Sequence, residues 1–363
     1  MRKRLEILFV LMLFSATAML AQMTTSGING MVTAGGDKAI GATVTAVHEP
    51  SGTTYNTVVN ESGRYSINGM RVGGPYTVKV SYIGYTTSVT KDVTLQLAES
   101  YSLNVKLAED ANELGEVVVS AKATKFTAER TGASTNINLR QLENMPTVSR
   151  SITDFTRLSP YGGNGMSFAG TDGRTANFTV DGANFNNNFG LSDGLPGGGN
   201  PISIDAIEEM QVVISPYDVR QTNFIGGGVN AITKSGTNTF KGTAYIYHQN
   251  ENMRGDAIER EQISGAREKD QKTTYGFTLG GPIIKNKLFF FVSGEMSKTP
   301  TVVNRWRGSV DGVADADNYI SRTTLADLEK VSNFVKDKYG YDTGSWTNFP
   351  ADENNYKLLA RLD

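Results

Sequence analysis

The chain has 363 residues, with 35 Lys+Arg against 37 Asp+Glu, two His and no Cys. A formal net charge of −2 excludes a nucleic-acid binder working through a strongly basic face, and the lack of cysteine excludes a disulfide scaffold, a thiolate metal site and a cysteine nucleophile. The length suggests two or three domains, a hydrophobic content of 39% permits a packed core, and 39 glycines suit a turn-rich β protein.

Arg2, Lys3 and Arg4 precede an apolar run from Ile7 to Phe14 and then small residues. This is the pattern of a secretory signal peptide over residues 1–21, cleaved after Ala21, with Ala18 as a second position. The apolar run is shorter than the ~20 residues of a spanning helix. Cleavage leaves a net charge of about −4, and no later stretch reads as a transmembrane helix. The mature chain is expected to be exported, and it must meet any membrane with β-strands.

Residues 22–108 read as a small β-sandwich. Short alternating runs recur between turn residues. Val44 and Ala46 oppose Thr43, Thr45 and Val47, and Val78 and Val80 oppose Thr77 and Lys79, which gives one inner and one outer face. Gly41, Gly63 and Gly84 read as turn positions. The segments GDKAIGATV, NESGRYSI and PYTVKVSYIGY resemble the carboxypeptidase-regulatory-like module, except that Ala39 stands where that family usually has Pro. The resemblance implies a transthyretin-like, carbohydrate-binding-like fold with an accessory, non-catalytic role.

A polar link, AEDANE, leads into ELGEVVVSA at 113–121. Three consecutive valines favour an extended backbone. The residues leave two uses open: a last strand of the sandwich, or a strand offered to the open sheet edge of a partner.

Residues 122–235 read as a mixed α/β domain. Leu139, Leu142 and Met145 have helical spacing, ended by Pro146. Ile152, Phe155 and Leu158 share a helical face, opened by a Ser151–Asp154 capping box and stopped by Pro160. ANFTVDG is a strand entering a turn, and Met210–Ile214 is a strand after a short capped turn. Beyond 236, segments of about ten residues alternate as membrane-barrel strands do. In TTYGFTLGG, Tyr275, Phe277 and Leu279 share one face and Thr274, Gly276 and Thr278 the other. A soluble strand shows the same alternation, but abundant Phe and Tyr opposite small or polar residues favour lipid outside and water within. Residues 298–354 read as a long external loop with one amphipathic helix.

The stretch 201–242 resembles the plug-to-barrel junction of TonB-dependent outer-membrane receptors. The parallels are Ile207, Met210 and Val212, then Gly226-Gly227-Gly228-Val229-Asn230, then Ile232-Thr233-Lys234. With SPYDVRQTNFIGGG, and GGPIIKNKLFFFVSGE at 280–295, the resemblance is to the Oar-like branch. It implies a mainly β chain: the sandwich over 22–108, a linker and TonB box over 109–121, an α/β plug over 122–235, and the first strands of an incomplete transmembrane β-barrel over 236–363. Glu116, Val117, Val118 and Val119 take the place of the TonB box. The implied partners are TonB of the inner-membrane energy-coupling complex, outer-membrane lipid and an extracellular ligand, with no nucleic acid. The implied location is the outer membrane, with the sandwich and plug on the periplasmic side. Plugged transporters have about 22 strands, and four candidates are present here, so the chain is expected to be the N-terminal part of a longer receptor or a truncated gene product.

GGGVNAITKSG is no phosphate loop, because Thr233 precedes Lys234 where Gly is required. Asn184, Phe185, Asn186, Asn187, Asn188 and Phe189 combine amides with aromatic faces, as peptide or sugar binding would use; an apical loop without a ligand is the other reading. Asp311, Asp315 and Asp317 fit a solvated loop better than a Ca²⁺ site, since Ile320 stands at the glycine position. The adjacent Glu208 and Glu209 point to opposite faces of a strand and do not suit an acid/base pair. Neither His48 nor His248 has a neighbouring ligand set. Gly226–Gly228 reads as close packing between plug and wall in preference to an anion-binding nest. No enzyme, cofactor or metal is expected. The competing function is a cell-surface structural or adhesion protein whose sandwich binds glycan or peptide.

Overall fold

The computed structural model describes residues 24–109, 117–120, 133–147, 150–186, 195, 200–215, 221, 224–253, 255, 257–258, 261–262, 271–300, 306–344 and 352–363. The expected leader, Glu116 and Asn187–Phe189 lie outside them. The chain divides into two compact units, one made of residues 1–243, 278–294 and 357–363, the other of 244–277 and 295–356.

The first unit opens with ten strands: β1 (Ser26–Ala34), β2 (Asp37–Lys38), β3 (Thr43–His48), β4 (Thr53–Val58), β5 (Arg64–Met70), β6 (Gly73–Ser81), β7 (Ser88–Leu95), β8 (Ser100–Ser102), β9 (Val105–Leu107) and β10 (Val117–Ser120). β1 pairs with β2, β5, β8 and β9, and the second sheet runs β10-β7-β6-β3-β4. The expected alternation holds: Val44, Ala46, Val78 and Val80 join Ile28, Tyr65 and Tyr76 in one core fed by both sheets. Burying such side chains contributes roughly 1.5–3 kcal/mol each for Val- to Phe-sized groups. The turn before β5 is built locally: Asn60 Oδ1 accepts from the N–H groups of Ser62 and Arg64, and Gly63 takes φ 76°, which a side chain would resist.

His48 closes β3 against this core. Its ring centroid lies 4.8 Å from that of Tyr76 at a tilt of 47°, and its Nδ1 lies 2.6 Å from Ser51 Oγ. Burial lowers its pKa to about 4, helped by the Arg71 charge. The folded value lies below the unfolded one, so the contribution is fully present above about pH 6.5 and is lost as pH falls toward 4. Discounted for solvent screening, the loss is about 2 kcal/mol. Denaturation of the module at pH 7.5 and pH 4 should show this difference, and His48→Gln should flatten it.

The α/β region follows: β11 (Ala133–Asn138), α1 (Leu139–Asn144), α2 (Ile152–Thr156), β12 (Asn177–Val180), β13 (Ala183–Asn184), β14 (Ile207–Ser215) and β15 (Gly228–Thr233). Its sheet runs β11-β14-β15-β12-β13. The Ser151–Asp154 capping box forms as expected, and α1 has a second one between Asn138 and Gln141. Helix α2 stops at Thr156, so Leu158 leaves the predicted face and is exposed. The Thr156 hydroxyl donates to both Thr153 O and Gly165 O, drawing the following loop over the helix end. The glycine run also differs from expectation. A Cβ at Gly227 would lie 2.7 Å from Phe168, and one at Gly228 3.0 Å from Phe224, so the close packing is internal to this region.

Paired registers give the sheet two unlike faces. Ile137, Met210, Ala231 and Val180 form one row across four strands, and Asn136, Gln211, Asn230 and Thr179 form the neighbouring row on the other face. The first row packs with Phe155, Phe168 and Phe178.

The remaining elements are β16 (Lys241–Gln249), β17 (Ala257–Ile258), β18 (Glu261–Gln262), β19 (Lys272–Ile284), β20 (Leu288–Thr299), β21 (Arg307–Ser309), β22 (Ile320–Thr324), α3 (Leu325–Tyr339) and β23 (Glu353–Leu362). β16, β19, β20 and β23 pair in that order as an open sheet. Thr324 caps α3 at its start and left-handed Gly340 ends it. The sheet has an inverted pattern. Tyr275, Phe277 and Leu279 are 44, 49 and 43% exposed, whereas Thr274 and Thr278 are 8 and 7% exposed. The inner side carries polar pairs, Thr243 with Thr278 at 2.7 Å, Thr274 with Ser297 at 3.0 Å and the Tyr245 hydroxyl donating to Glu295 at 2.9 Å, and at the other end of β20 it buries Phe289 and Phe291. On β23, Tyr356, Leu358 and Leu362 point outward. Apolar outside and polar inside is the arrangement of a strand in lipid.

Candidate functional site: the junction of module, valine strand and plug

The valine strand has a partner inside the chain. β10 adds to the edge of β7 in parallel, with Val117 opposite Ser88, Val118 opposite Val89, Val119 opposite Thr90 and Ser120 opposite Lys91. It is the outermost strand of that sheet, and Val119 is exposed. Four residues in a parallel pairing form a short ladder, slightly less stable per residue than an antiparallel one.

Immediately after β7 the chain is gripped by the α/β region. Leu97 N–H donates to Glu209 Oε1 at 3.0 Å, and Leu97 C=O accepts from Gln211 Nε2 at 3.0 Å and from Asn136 Nδ2 at 3.4 Å. Glu209 and Gln211 are 3 and 2% exposed. Leu97, Val72 and Ile232 form a small shared core beside them. Two buried polar side chains on β14 thus hold both backbone groups of one residue, which docks the sandwich on the α/β region. The sequence reading considered Glu209 only as half of an acid/base pair. The usable signal was the alternation of Glu209 and Gln211 with Met210 and Val212, which marks a strand buried on a polar side as well as an apolar one.

Next to this clamp is a cavity of about 490 Å³ lined by Tyr55, Arg71, Asp181, Glu208, Thr233 and Arg361, among others. Asp181 accepts from the Thr233 N–H at 3.0 Å and from its hydroxyl at 2.5 Å. Arg361 donates to Thr233 O at 2.8 Å and lies 3.5 Å from Asp181. Burial raises the Glu208 pKa, with the Lys234 charge opposing. Each charge faces an opposite one, and no group here is set as a nucleophile beside a base. No group of three or more potential metal ligands occurs among the described residues.

The amide-rich segment is partly committed to structure. Asn186 Oδ1 accepts from Phe178 N–H at 2.6 Å and its Nδ2 donates to Asn177 at 2.7 Å, while Phe185 packs on the plug core. Asn184 Oδ1 accepts from the Asn186 N–H at 2.7 Å, and the residue is exposed. In the loop after β21, Asp315 accepts from Asn318 through both side-chain oxygens.

Comparison with known proteins bears on the whole junction. Residues 27–108 match the carboxypeptidase regulatory-like domain and residues 232–310 the outer membrane beta barrel domain. The chain is 27% identical over 252 residues to the TonB-dependent transporter Oar of Myxococcus xanthus, covering 64% of this chain and 23% of that protein. It therefore spans about a quarter of the length of that relative. Among solved structures it is similar to the siderophore receptor PirA from Acinetobacter baumannii, at 24% identity over 46% of this chain and 24% of that one, with a TM-score of 0.35. It is also similar to the outer membrane transporter YddB from Escherichia coli, at 13% identity over 50% and 28%, with a TM-score of 0.38. The two domain matches and the Oar relationship, joined to an open sheet that turns its aromatic face outward, make this chain similar to the TonB-dependent outer-membrane receptors of Oar type and place it in the outer membrane, with a carboxypeptidase regulatory-like module over residues 27–108.

Proposed function

We propose that this chain is the energy-coupling and gating end of a receptor that takes up or senses an extracellular ligand through a plugged barrel. In this reading residues 1–21 are the leader, 22–108 the module, 109–121 the linker and TonB box, 122–235 the plug and 236–363 the start of the barrel, with module and plug in the periplasm. The single observation that carries it is the inverted exposure of β19, which suits lipid on one side and a filled lumen on the other. Uphill transport needs work, and no nucleotide supply exists beyond the cytoplasm. The work then comes from TonB, which takes Glu116, Val117, Val118 and Val119 as an added strand. The chain carries out no chemistry on its ligand. That ligand is a peptide, sugar or other large solute, met by the segment Asn184, Phe185, Asn186, Asn187, Asn188 and Phe189, in which Phe185 and Asn186 tie the segment to the core and exposed Asn184 is turned to the ligand.

A peptide of residues 110–125 should bind a TonB C-terminal domain saturably, and Val118→Pro should abolish binding by removing an N–H from the strand. Calorimetric titration checks this, and a wild-type peptide that fails to bind removes the coupling assignment. Protease added to intact cells should spare residues 24–108. Cleavage there would favour the surface-adhesion alternative.

A further inference from the structure

We propose that the β7 edge of the regulatory-like module is the resting berth of residues 117–120, so that the module and TonB compete for one strand. This rests on the TonB-box reading above and adds to it what controls access to the box. Three observations support it. First, β10 is paired with β7 over four residues in a defined register, so at rest the backbone groups of one of its sides are occupied. Second, β7 is otherwise an edge strand, since β6 covers only its other side. An uncovered edge invites strand addition, and the valine segment is what fills it. Third, β7 does not float. Two residues past its end, Leu97 is held through both backbone groups by Glu209 and Gln211 of the plug. The berth is therefore anchored to the element TonB is meant to move, and any shift of β14 that disturbs the Leu97 grip reaches the strand beside the box.

Competition has a quantitative form. If only a fraction of molecules has the segment free, the apparent affinity for TonB falls by that fraction. Locking the segment on β7 takes the fraction toward zero.

The chain contains no cysteine, so paired substitutions report the contact without background. Ser88→Cys with Val117→Cys, and independently Lys91→Cys with Ser120→Cys, place thiols at opposed positions on adjacent strands, within disulfide reach. In the full chain in detergent micelles, mild oxidation should close both pairs intramolecularly, whereas the out-of-register pair Lys91→Cys with Val117→Cys should stay open. The purified TonB C-terminal domain should then bind the reduced proteins and bind the oxidised ones at least tenfold more weakly, with reductant restoring binding. If neither in-register pair closes, the berth does not exist. If the pairs close and oxidised protein binds as tightly as reduced, the strand is stored but not masked, and competition is overturned. If reduced protein also fails to bind while the pairs close, the TonB-box reading is what fails.

Discussion

Gly30→Ala is expected to destabilise the sandwich by about 3 kcal/mol or more, as overpacking that only a backbone shift can relieve. Gly30 sits in β1 opposite Tyr65 of β5. A Cβ there would lie 2.6 Å from the Leu103 carbonyl carbon and 3.1 Å from Tyr65 Cε1. Neither neighbour is free to retreat. The Tyr65 hydroxyl donates to Leu103 O at 2.8 Å, and Leu103 N–H donates to Asn29 O at 2.8 Å, so the crossing chain is tied on both sides of the intruding methyl. The conflict is with backbone, which distinguishes it from the many glycines that face movable side chains. Native-state hydrogen exchange should show protection of the β1 and β5 amides falling by about 100-fold. Gly255→Ala is the control: its nearest neighbour would be Ala257 O at 4.0 Å, and its effect should stay within about 0.5 kcal/mol. Unchanged protection in Gly30→Ala would mean that β1 and the Leu103 segment do not cross as described.

Glu209→Ala should cost about 3 kcal/mol and free the module from the plug without unfolding either. The substitution strands the buried Leu97 N–H and removes a charge-assisted bond, each worth roughly 1.5–3 kcal/mol. Gln211→Ala removes the matching bond to Leu97 C=O. Because both bonds grip one residue, the double variant should cost less than the two singles together. Glu209→Gln keeps an acceptor and should recover most of the loss. Limited proteolysis near residues 96–98 reads the effect directly, with faster cleavage for Glu209→Ala and near-normal rates for Glu209→Gln. Equal cleavage of all variants would show that the apolar contact of Leu97 with Val72 and Ile232 suffices to hold the joint.

What was legible in the sequence was what is local or periodic. The Ser151–Asp154 box spans three residues and forms in the structure because both partners are set by one turn. The alternation of β19 was visible from Tyr275 to Leu279. Its direction was not fixed by pattern, since a soluble strand alternates in the same way with the faces exchanged; composition favoured lipid outside, and the exposed aromatics agree. Features set by distant partners were hidden. Leu158 has helical spacing, yet Thr156 bonds Gly165 and ends the helix early. The Leu97 clamp joins residues 112 and 114 positions apart, and nothing near Leu97 announces it. The valine segment is an intermediate case. Its residues specify an extended strand, and their composition is equally suited to β7 and to a foreign edge.

The outward ladder of Tyr275, Phe277, Leu279, Leu358 and Leu362 has a cost that arises before the receptor is in place. A flank made for oil must first traverse an aqueous compartment, where the same side chains promote clumping. Yield in the cell is then expected to depend on how quickly it is escorted across that gap and delivered into its bilayer, and not only on how firmly the finished molecule holds together.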